Sequence, residues 1–142
     1  MKRGPVLLLI AATALAFGGQ VLIYGPQLRA AAGGLAPFDL RIGGYGAGAA
    51  NDYLAALSGA GKTLYLGPVR LLDTLFPMLM AGVLLLPLGR RAWRGLAQGL
   101  RVALGLPALA YGLCDLGENA AISRLLRADL PVDPEAVRLA SL

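Results

Sequence analysis

The sequence predicts an all-α membrane protein: a small bundle of about three transmembrane helices with a short extracytoplasmic helix in the first loop. The composition supports this fold class. Mean hydropathy is +0.66, and 57% of the residues are hydrophobic while only 15% are charged. An ordinary soluble domain carries about 25% charged residues, which leaves too little polar surface here to cover a soluble globule. The apolar residues also fall in blocks of about 20, the length that crosses a hydrocarbon core of about 30 Å.

The first predicted span covers residues 5–24, an uncharged apolar block that follows two basic residues. At about 1.5 Å per residue such a helix crosses the bilayer. The segment also resembles a cleaved signal peptide, with residues 14–16 (Ala-Leu-Ala) as the cleavage site. The apolar run continues beyond that site through Ile23, which favours a helix that is retained.

Residues 25–67 form a predicted external loop rich in glycine and alanine. Within this loop, residues 47–57 are predicted as a short helix, because the large apolar side chains fall on one side of a 3.6-residue repeat. Gly59 and Gly61 are expected to end this helix in a left-handed cap. The short helix is expected to lie on the membrane surface or to pack on the bundle.

The second predicted span covers residues 68–88 and begins at a proline, which the first turn of a helix tolerates. Pro77 lies inside this span and should kink it. A loop at 89–101 carries four arginines and no acid. The third span is predicted at 102–121 and is followed by a tail at 122–142.

The distribution of basic residues predicts the orientation. The N-terminus and the 89–101 loop carry only basic residues, so both are expected in the cytoplasm, whereas the other two connections mix acids with bases and are expected outside. The sequence thus predicts a multi-pass protein of a bacterial inner membrane. Its expected partners are the lipid bilayer and, as one option, another membrane protein. Nucleic acid is not expected, because no basic patch is interleaved with aromatic residues.

Several classes of site are excluded by residue counts. The chain has no histidine and one cysteine, Cys114. Zinc, haem and iron–sulfur sites use several His or Cys ligands, and a Ser-His-Asp arrangement needs a histidine. We therefore expect no metal and no cofactor. Cys114 is interpreted as a small packing residue of the third span.

Polar residues of all three spans fall at one height, about 20–28 Å above the cytoplasmic ends at about 1.5 Å per residue. A charged side chain near the bilayer centre costs about 2.5–3.5 kcal/mol, so such groups are expected to turn inward and pair. The cluster has three interpretations: it holds the helices in register, it forms a site for protons or a polar ligand, or its residues lie at the hydrated membrane interface and do little. The candidate residues are Gln20 of the first span, Arg70 and Asp73 of the second, and Asp115, Glu118 and Asn119 of the third.

Several short strings, spread over most of the chain, resemble a family of small polytopic bacterial inner-membrane proteins with RxxDTxFP and DxxEN helix motifs. The family has no activity established, so the resemblance implies topology only. It implies four spanning helices, with a segment like residues 137–142 leading into the fourth, so this chain is expected to be either naturally short or truncated. The strings are Pro37-Phe38-Asp39, Gly44-Tyr45, Asp52-Tyr53-Leu54-Ala55-Ala56-Leu57, Tyr65-Leu66, Arg70-Leu71-Leu72-Asp73-Thr74-Leu75-Phe76-Pro77 and Asp115-Leu116-Gly117-Glu118-Asn119.

Three functions are consistent with these residues. The leading hypothesis is a non-enzymatic structural, assembly or accessory subunit of a membrane complex, because the usual catalytic and cofactor residues are missing from so small a bundle. The alternative is a transporter or membrane enzyme that handles protons or a lipid headgroup, with Arg70 holding an anionic group and Asp115 or Glu118 exchanging protons. The third is a lipid or envelope-stress sensor that uses the first external loop as its receptor surface.

Overall fold

The computed structural model describes residues 3–86 and 95–141. Within these ranges the chain is all-helical and has no strand, which confirms the predicted all-α class. Three helices are long and apolar enough to cross a membrane. They are called here the first, second and third long helices and span Gly4–Ala31, Gly59–Leu85 and Gln98–Leu125.

Shorter elements connect and follow the long helices. A 3₁₀ turn at Phe38–Leu40 and a helix at Ala47–Ala56 lie between the first and second long helices. The second of these elements is the short helix that the sequence predicts at 47–57, one residue shorter at its end. A final short helix at Pro134–Leu139 follows the third long helix and begins where Asp133 accepts a hydrogen bond from the Glu135 N–H at 3.1 Å.

The first long helix contains a π-helical segment at Gly19–Tyr24 between the α-helical segments Arg3–Gly18 and Gly25–Ala31. The helix therefore extends past residue 24, where hydropathy alone ends the predicted span. Its extra turns are stabilised by tertiary contacts, because Leu28 is only 2% exposed and packs in the main hydrophobic core.

The second long helix begins at Gly59, nine residues before the predicted start at residue 68. Ser58 caps it by accepting a hydrogen bond from the Gly61 N–H at 3.1 Å. The predicted left-handed cap at Gly59 and Gly61 is therefore wrong: both glycines belong to the first turn of a new helix. The positive-φ glycines of the described chain lie elsewhere, at 33, 34 and 44.

The predicted start of the second span coincides with a break in the helical backbone. Gly67 has φ −99° and ψ −106°, inside a π-helical segment at Tyr65–Val69, and Arg70–Leu85 continues as α-helix. Pro68 explains the break, since proline removes one backbone donor and crowds the preceding turn.

The third long helix starts before residue 102 and continues past residue 121. Its last turn carries Ile122 and Leu125, which are 3% and 1% exposed, and this burial extends the helix beyond its apolar block. Residues 87–94, which comprise the last two residues of the predicted second span and the first part of the predicted basic loop, lie outside the described part of the chain.

The main hydrophobic core lies at one end of the long helices and is called here the cap. It joins the end of the first long helix, the short elements and the ends of the other two long helices. Along the long helices many apolar side chains are exposed, for example Leu8, Leu15 and Leu113 at 71–77%. The buried residues of the cap are Leu28, Ala32, Phe38, Ala50, Tyr53, Tyr65, Val69, Ile122, Leu125, Leu126, Val132, Val137 and Ala140.

The second long helix packs against both others and so organises the bundle. Gly19 allows the first helix to approach closely, because a Cβ atom there would lie 3.3 Å from the Leu72 Cδ1. Beside this contact the rings of Phe17 and Phe76 pack with centroids 5.6 Å apart. These contacts bring the polar residues of the two helices together.

Candidate functional site

A cavity of about 190 Å³ lies where the three long helices meet the cap. Five of the six residues of the predicted polar cluster line this cavity. The structure therefore brings together residues that were grouped by their predicted height along the spans. Aromatic rings of Phe17, Tyr24 and Phe76 form part of the wall. The polar lining consists of Gln20, Asp39, Asp73, Asp115, Glu118 and Asn119.

Asp73 is the most enclosed acid of the cavity, with 8% of its surface exposed. The Gln20 Nε2 of the first long helix donates a hydrogen bond to the Asp73 Oδ1. The Asn119 Nδ2 of the third long helix donates to the Asp73 backbone carbonyl at 2.8 Å. Asp73 therefore connects all three long helices through its own polar atoms.

The side-chain amide of Asn119 donates two hydrogen bonds. Besides the Asp73 carbonyl, its Nδ2 donates to the Asp115 Oδ2 at 3.0 Å, one turn earlier on the same helix. Its backbone carbonyl accepts from the Ser123 Oγ at 3.0 Å. Asn119 is 5% exposed, so its amide is buried while it binds the partly exposed Asp115 carboxyl.

Gln20 reaches Asp73 from the π-helical segment of the first long helix. A π segment adds a residue to the turn and rotates the side chains that follow, and such segments are frequent at functional sites. The hydropathy pattern does not indicate this rotation. It does indicate Gln20 as the polar residue of an otherwise apolar span.

Arg70 is the predicted member that does not line the cavity. No ion pair within 4.0 Å joins its guanidinium to an acid in the described ranges; the pair found there is the exposed Glu135–Arg138. The expected pairing of Arg70 with the acids of the cluster is therefore not observed. Arg70 instead accepts at its backbone carbonyl a hydrogen bond from the Thr74 Oγ1 at 2.9 Å.

Asp39 also lines the cavity, although it is not among the six residues that the sequence predicts for the polar cluster. It lies on the 3₁₀ turn of the cap, and the Tyr65 hydroxyl donates a 2.6 Å hydrogen bond to its Oδ2. Asp39 is exposed as well, so it borders both the cavity and the surface of the protein. The only sequence signal for Asp39 is its place in the Pro-Phe-Asp string of the family resemblance.

An aromatic cluster holds the turn that carries Asp39. The Arg41 guanidinium lies 5.4–5.7 Å from the ring centroids of Phe38, Tyr45 and Tyr53, a distance at which a cation is attracted to the ring faces. The Arg41 Nε also donates to the Ala36 carbonyl at 2.9 Å. Burial raises the pKa values of Tyr45 and Tyr53, so both hydroxyls stay neutral near pH 7.

Cys114 does not pack in the bundle. It is exposed on the outer face of the third long helix, so its interpretation as a packing residue is wrong. Among residues 3–86 and 95–141, no group of three or more His, Cys, Asp or Glu side chains is arranged to hold a metal ion.

Comparison of this chain with protein-family models, with curated proteins and with solved structures finds no match.

Proposed function

We propose that this protein is an integral membrane protein that binds a small organic cation in the polar cavity, in exchange for protons. The proposal places it in a bacterial inner membrane with its N-terminus in the cytoplasm. The length and hydropathy of the three long helices support the membrane part of the proposal. The orientation rests on the purely basic N-terminus and 89–101 loop.

The charge of the cavity lining carries the proposal. It has four carboxylic acids, Asp39, Asp73, Asp115 and Glu118, and no basic side chain of residues 3–86 or 95–141 lines it. Carboxylates together with aromatic rings are the groups that recognise ammonium compounds, through charge and through the negative faces of the rings. An anionic ligand held by Arg70 fits this lining less well.

The size of the cavity limits the ligand. A cavity of about 150 Å³ is enough to hold benzene, so about 190 Å³ holds a compound slightly larger than benzene. A primary amine on a small aromatic or aliphatic frame fits these limits.

The charge of the cavity couples binding of a cation to the release of protons. Four carboxylates around one small cavity repel one another, and the repulsion is strong where the effective dielectric constant is low. Arg70 lies close enough to offset part of this charge on Asp39, Asp73 and Asp115, and bound protons or a bound cation neutralise a further part. Binding of an ammonium compound should therefore release protons, which is the coupling that a carrier or a sensor needs.

Isothermal titration calorimetry on the full chain in detergent micelles tests this proposal. Benzylammonium should bind and benzyl alcohol should not, and repeating the titration in buffers of different ionisation enthalpy should reveal proton release.

Asp73→Asn keeps an oxygen acceptor for Gln20 and should weaken binding about tenfold or more, since losing one close ionic contact costs about 1.5–3 kcal/mol. Asp52→Asn, at an exposed acid outside the cavity, is the matched control. Equal binding of the amine and the alcohol, or an unaffected Asp73→Asn variant, would contradict the proposal.

The accessory-subunit hypothesis from the sequence stays a second proposal. It is supported by the large exposed apolar surface along the long helices, which a neighbouring protein helix could cover as well as lipid does. Native mass spectrometry of a gentle membrane extract separates the two. A stoichiometric protein partner supports the subunit, whereas a chain that carries no protein partner and retains a small cationic compound supports the ligand-binding proposal.

A further inference from the structure

A groove of about 600 Å³ follows the outer face of the third long helix. Much of its floor is made by residues with small side chains, including Cys114 and Gly117, and Leu139 of the final helix forms part of its wall. Asp115 and Glu118 also line the groove. These two acids therefore face both the groove and the inner cavity.

The groove is continuous with an exposed apolar stripe. Tyr111 and Leu104 lie two and four helical turns before Glu118, so the three residues share one side of the helix. Tyr111 and Leu104 are 38% and 46% exposed. The distance along the helix from Glu118 to Leu104 is about 21 Å at about 1.5 Å per residue, which is long enough for an alkyl chain that lies along the stripe.

The charges of the groove determine where a headgroup would lie. The carboxylates of Asp115 and Glu118 stand between the apolar stripe and Arg124, which lines the groove about 9 Å beyond Glu118 at about 1.5 Å per residue. A cationic headgroup is attracted to the two acids and repelled by the arginine. It is therefore held beside the cavity, with its tail directed along the stripe.

We propose that the ligand is a single-chain amphiphile with a terminal ammonium group, whose tail lies in this groove and whose headgroup reaches the cavity between Asp115 and Glu118. This inference rests on the cation-binding function proposed above and adds a lipid-soluble class of ligand and a lateral route from the bilayer. A ligand on this route reaches the acids without crossing the cap.

Cys114 provides a reporter, because it is the only cysteine of the chain and lines the groove. The full chain in phosphatidylcholine nanodiscs is labelled with uncharged N-ethylmaleimide, with and without dodecylammonium. The labelling rate should fall about tenfold at about 90% occupancy. Dodecanol at the same membrane concentration should leave the rate unchanged.

Two sets of variants control this experiment. Glu118→Gln and, separately, Asp115→Asn should abolish protection by dodecylammonium, whereas Glu135→Gln, at an exposed acid outside the groove, should keep it. Moving the reporter with Cys114→Ala and Leu113→Cys places the thiol on a neighbouring side of the helix, where labelling should not slow.

Each outcome decides the proposal. Protection by dodecylammonium alone, lost in the Glu118 and Asp115 variants, supports the lateral site. Equal protection by dodecanol, or none by dodecylammonium in the native chain, overturns it even if the variants fold poorly. The benzylammonium titration stays a separate test: if that amine binds while dodecylammonium does not protect Cys114, the cavity proposal holds and the groove proposal fails.

Discussion

Replacing Asn119 by leucine tests whether the polar cluster holds the helices together. The side chain is 5% exposed and donates to the Asp73 carbonyl at 2.8 Å and to the Asp115 Oδ2 at 3.0 Å. Leucine has a similar volume, so Asn119→Leu removes these bonds without opening a large cavity. The carbonyl of Asp73 and the carboxyl of Asp115 are left without this donor.

The expected loss of stability follows from these two bonds. Hydrogen bonds between membrane helices contribute about 0.6 kcal/mol on average and up to about 1.7 kcal/mol. Two bonds, one between helices and one within the third helix, therefore give a decrease of about 1–3 kcal/mol in the free energy of unfolding. Part of this loss is offset by the greater helix propensity of leucine, about 0.5 kcal/mol.

Unfolding by sodium dodecyl sulfate in mixed micelles, followed by far-ultraviolet circular dichroism, measures this change. Gln98→Leu is the matched control, because it replaces an exposed amide on the same helix and should change stability little. If Asn119→Leu is no less stable than Gln98→Leu, the bonds from Asn119 do not hold the second and third helices together, and the reasoning from buried polar bonds is refuted.

Three further predictions concern the cap. Gly61→Ala should lower the free energy of unfolding by about 1–3 kcal/mol, because the new Cβ would lie 2.7 Å from the Ala31 Cβ, whereas Gly59→Ala meets no atom within 4 Å and should lower it little. Tyr45→Phe removes a 2.7 Å hydrogen bond to the final helix and should cost about 1 kcal/mol, with faster amide hydrogen exchange confined to that helix. Glu135→Gln removes an exposed ion pair and should leave the unfolding midpoint unchanged.

The sequence predicts which cavity residues come together because two simple quantities determine the arrangement. Hydropathy locates each span, and the rise per residue converts sequence position into height. Gln20, Asp73 and Asn119 belong to different helices, yet their heights agree and they form direct hydrogen bonds. Hydropathy also predicts the all-α class, and the 3.6-residue repeat predicts the short helix after residue 46.

Height does not determine the direction in which a side chain points, and this explains the failure at Arg70. Arg70 and Asp73 lie three residues apart, which rotates them by about 60° around the helix at about 3.6 residues per turn. Asp73 lines the cavity and Arg70 does not. A shared stripe on the helix therefore does not predict that both side chains reach the same place.

Sequence periodicity does not predict which loop residues reach the cavity. Asp39 reaches the cavity because Arg41 packs against three aromatic rings and because Tyr65 donates a hydrogen bond to the Asp39 carboxyl. These contacts join residues up to 26 positions apart, and no local repeat encodes them. Hydropathy does not predict the helix start at Gly59 for a related reason: it detects an apolar block, whereas the Ser58 cap depends on one side-chain hydrogen bond.

The position of the hydrophobic core explains how a polar cavity persists in so small a bundle. The largest fully buried side chains, Tyr53, Tyr65 and Phe38, lie in the cap and not between the long helices. The cap therefore holds one end of the bundle by packing, and the long helices need only a few polar bonds to stay in register. Asp39 stands at the edge of this packed region, where it is exposed and also lines the cavity. Asp115 and Glu118 border the outer groove as well, so the acids of the cavity face the surface of the protein in two directions. Benzylammonium tests binding to these acids from water and dodecylammonium tests binding along the third helix, which is the physical reason to measure both.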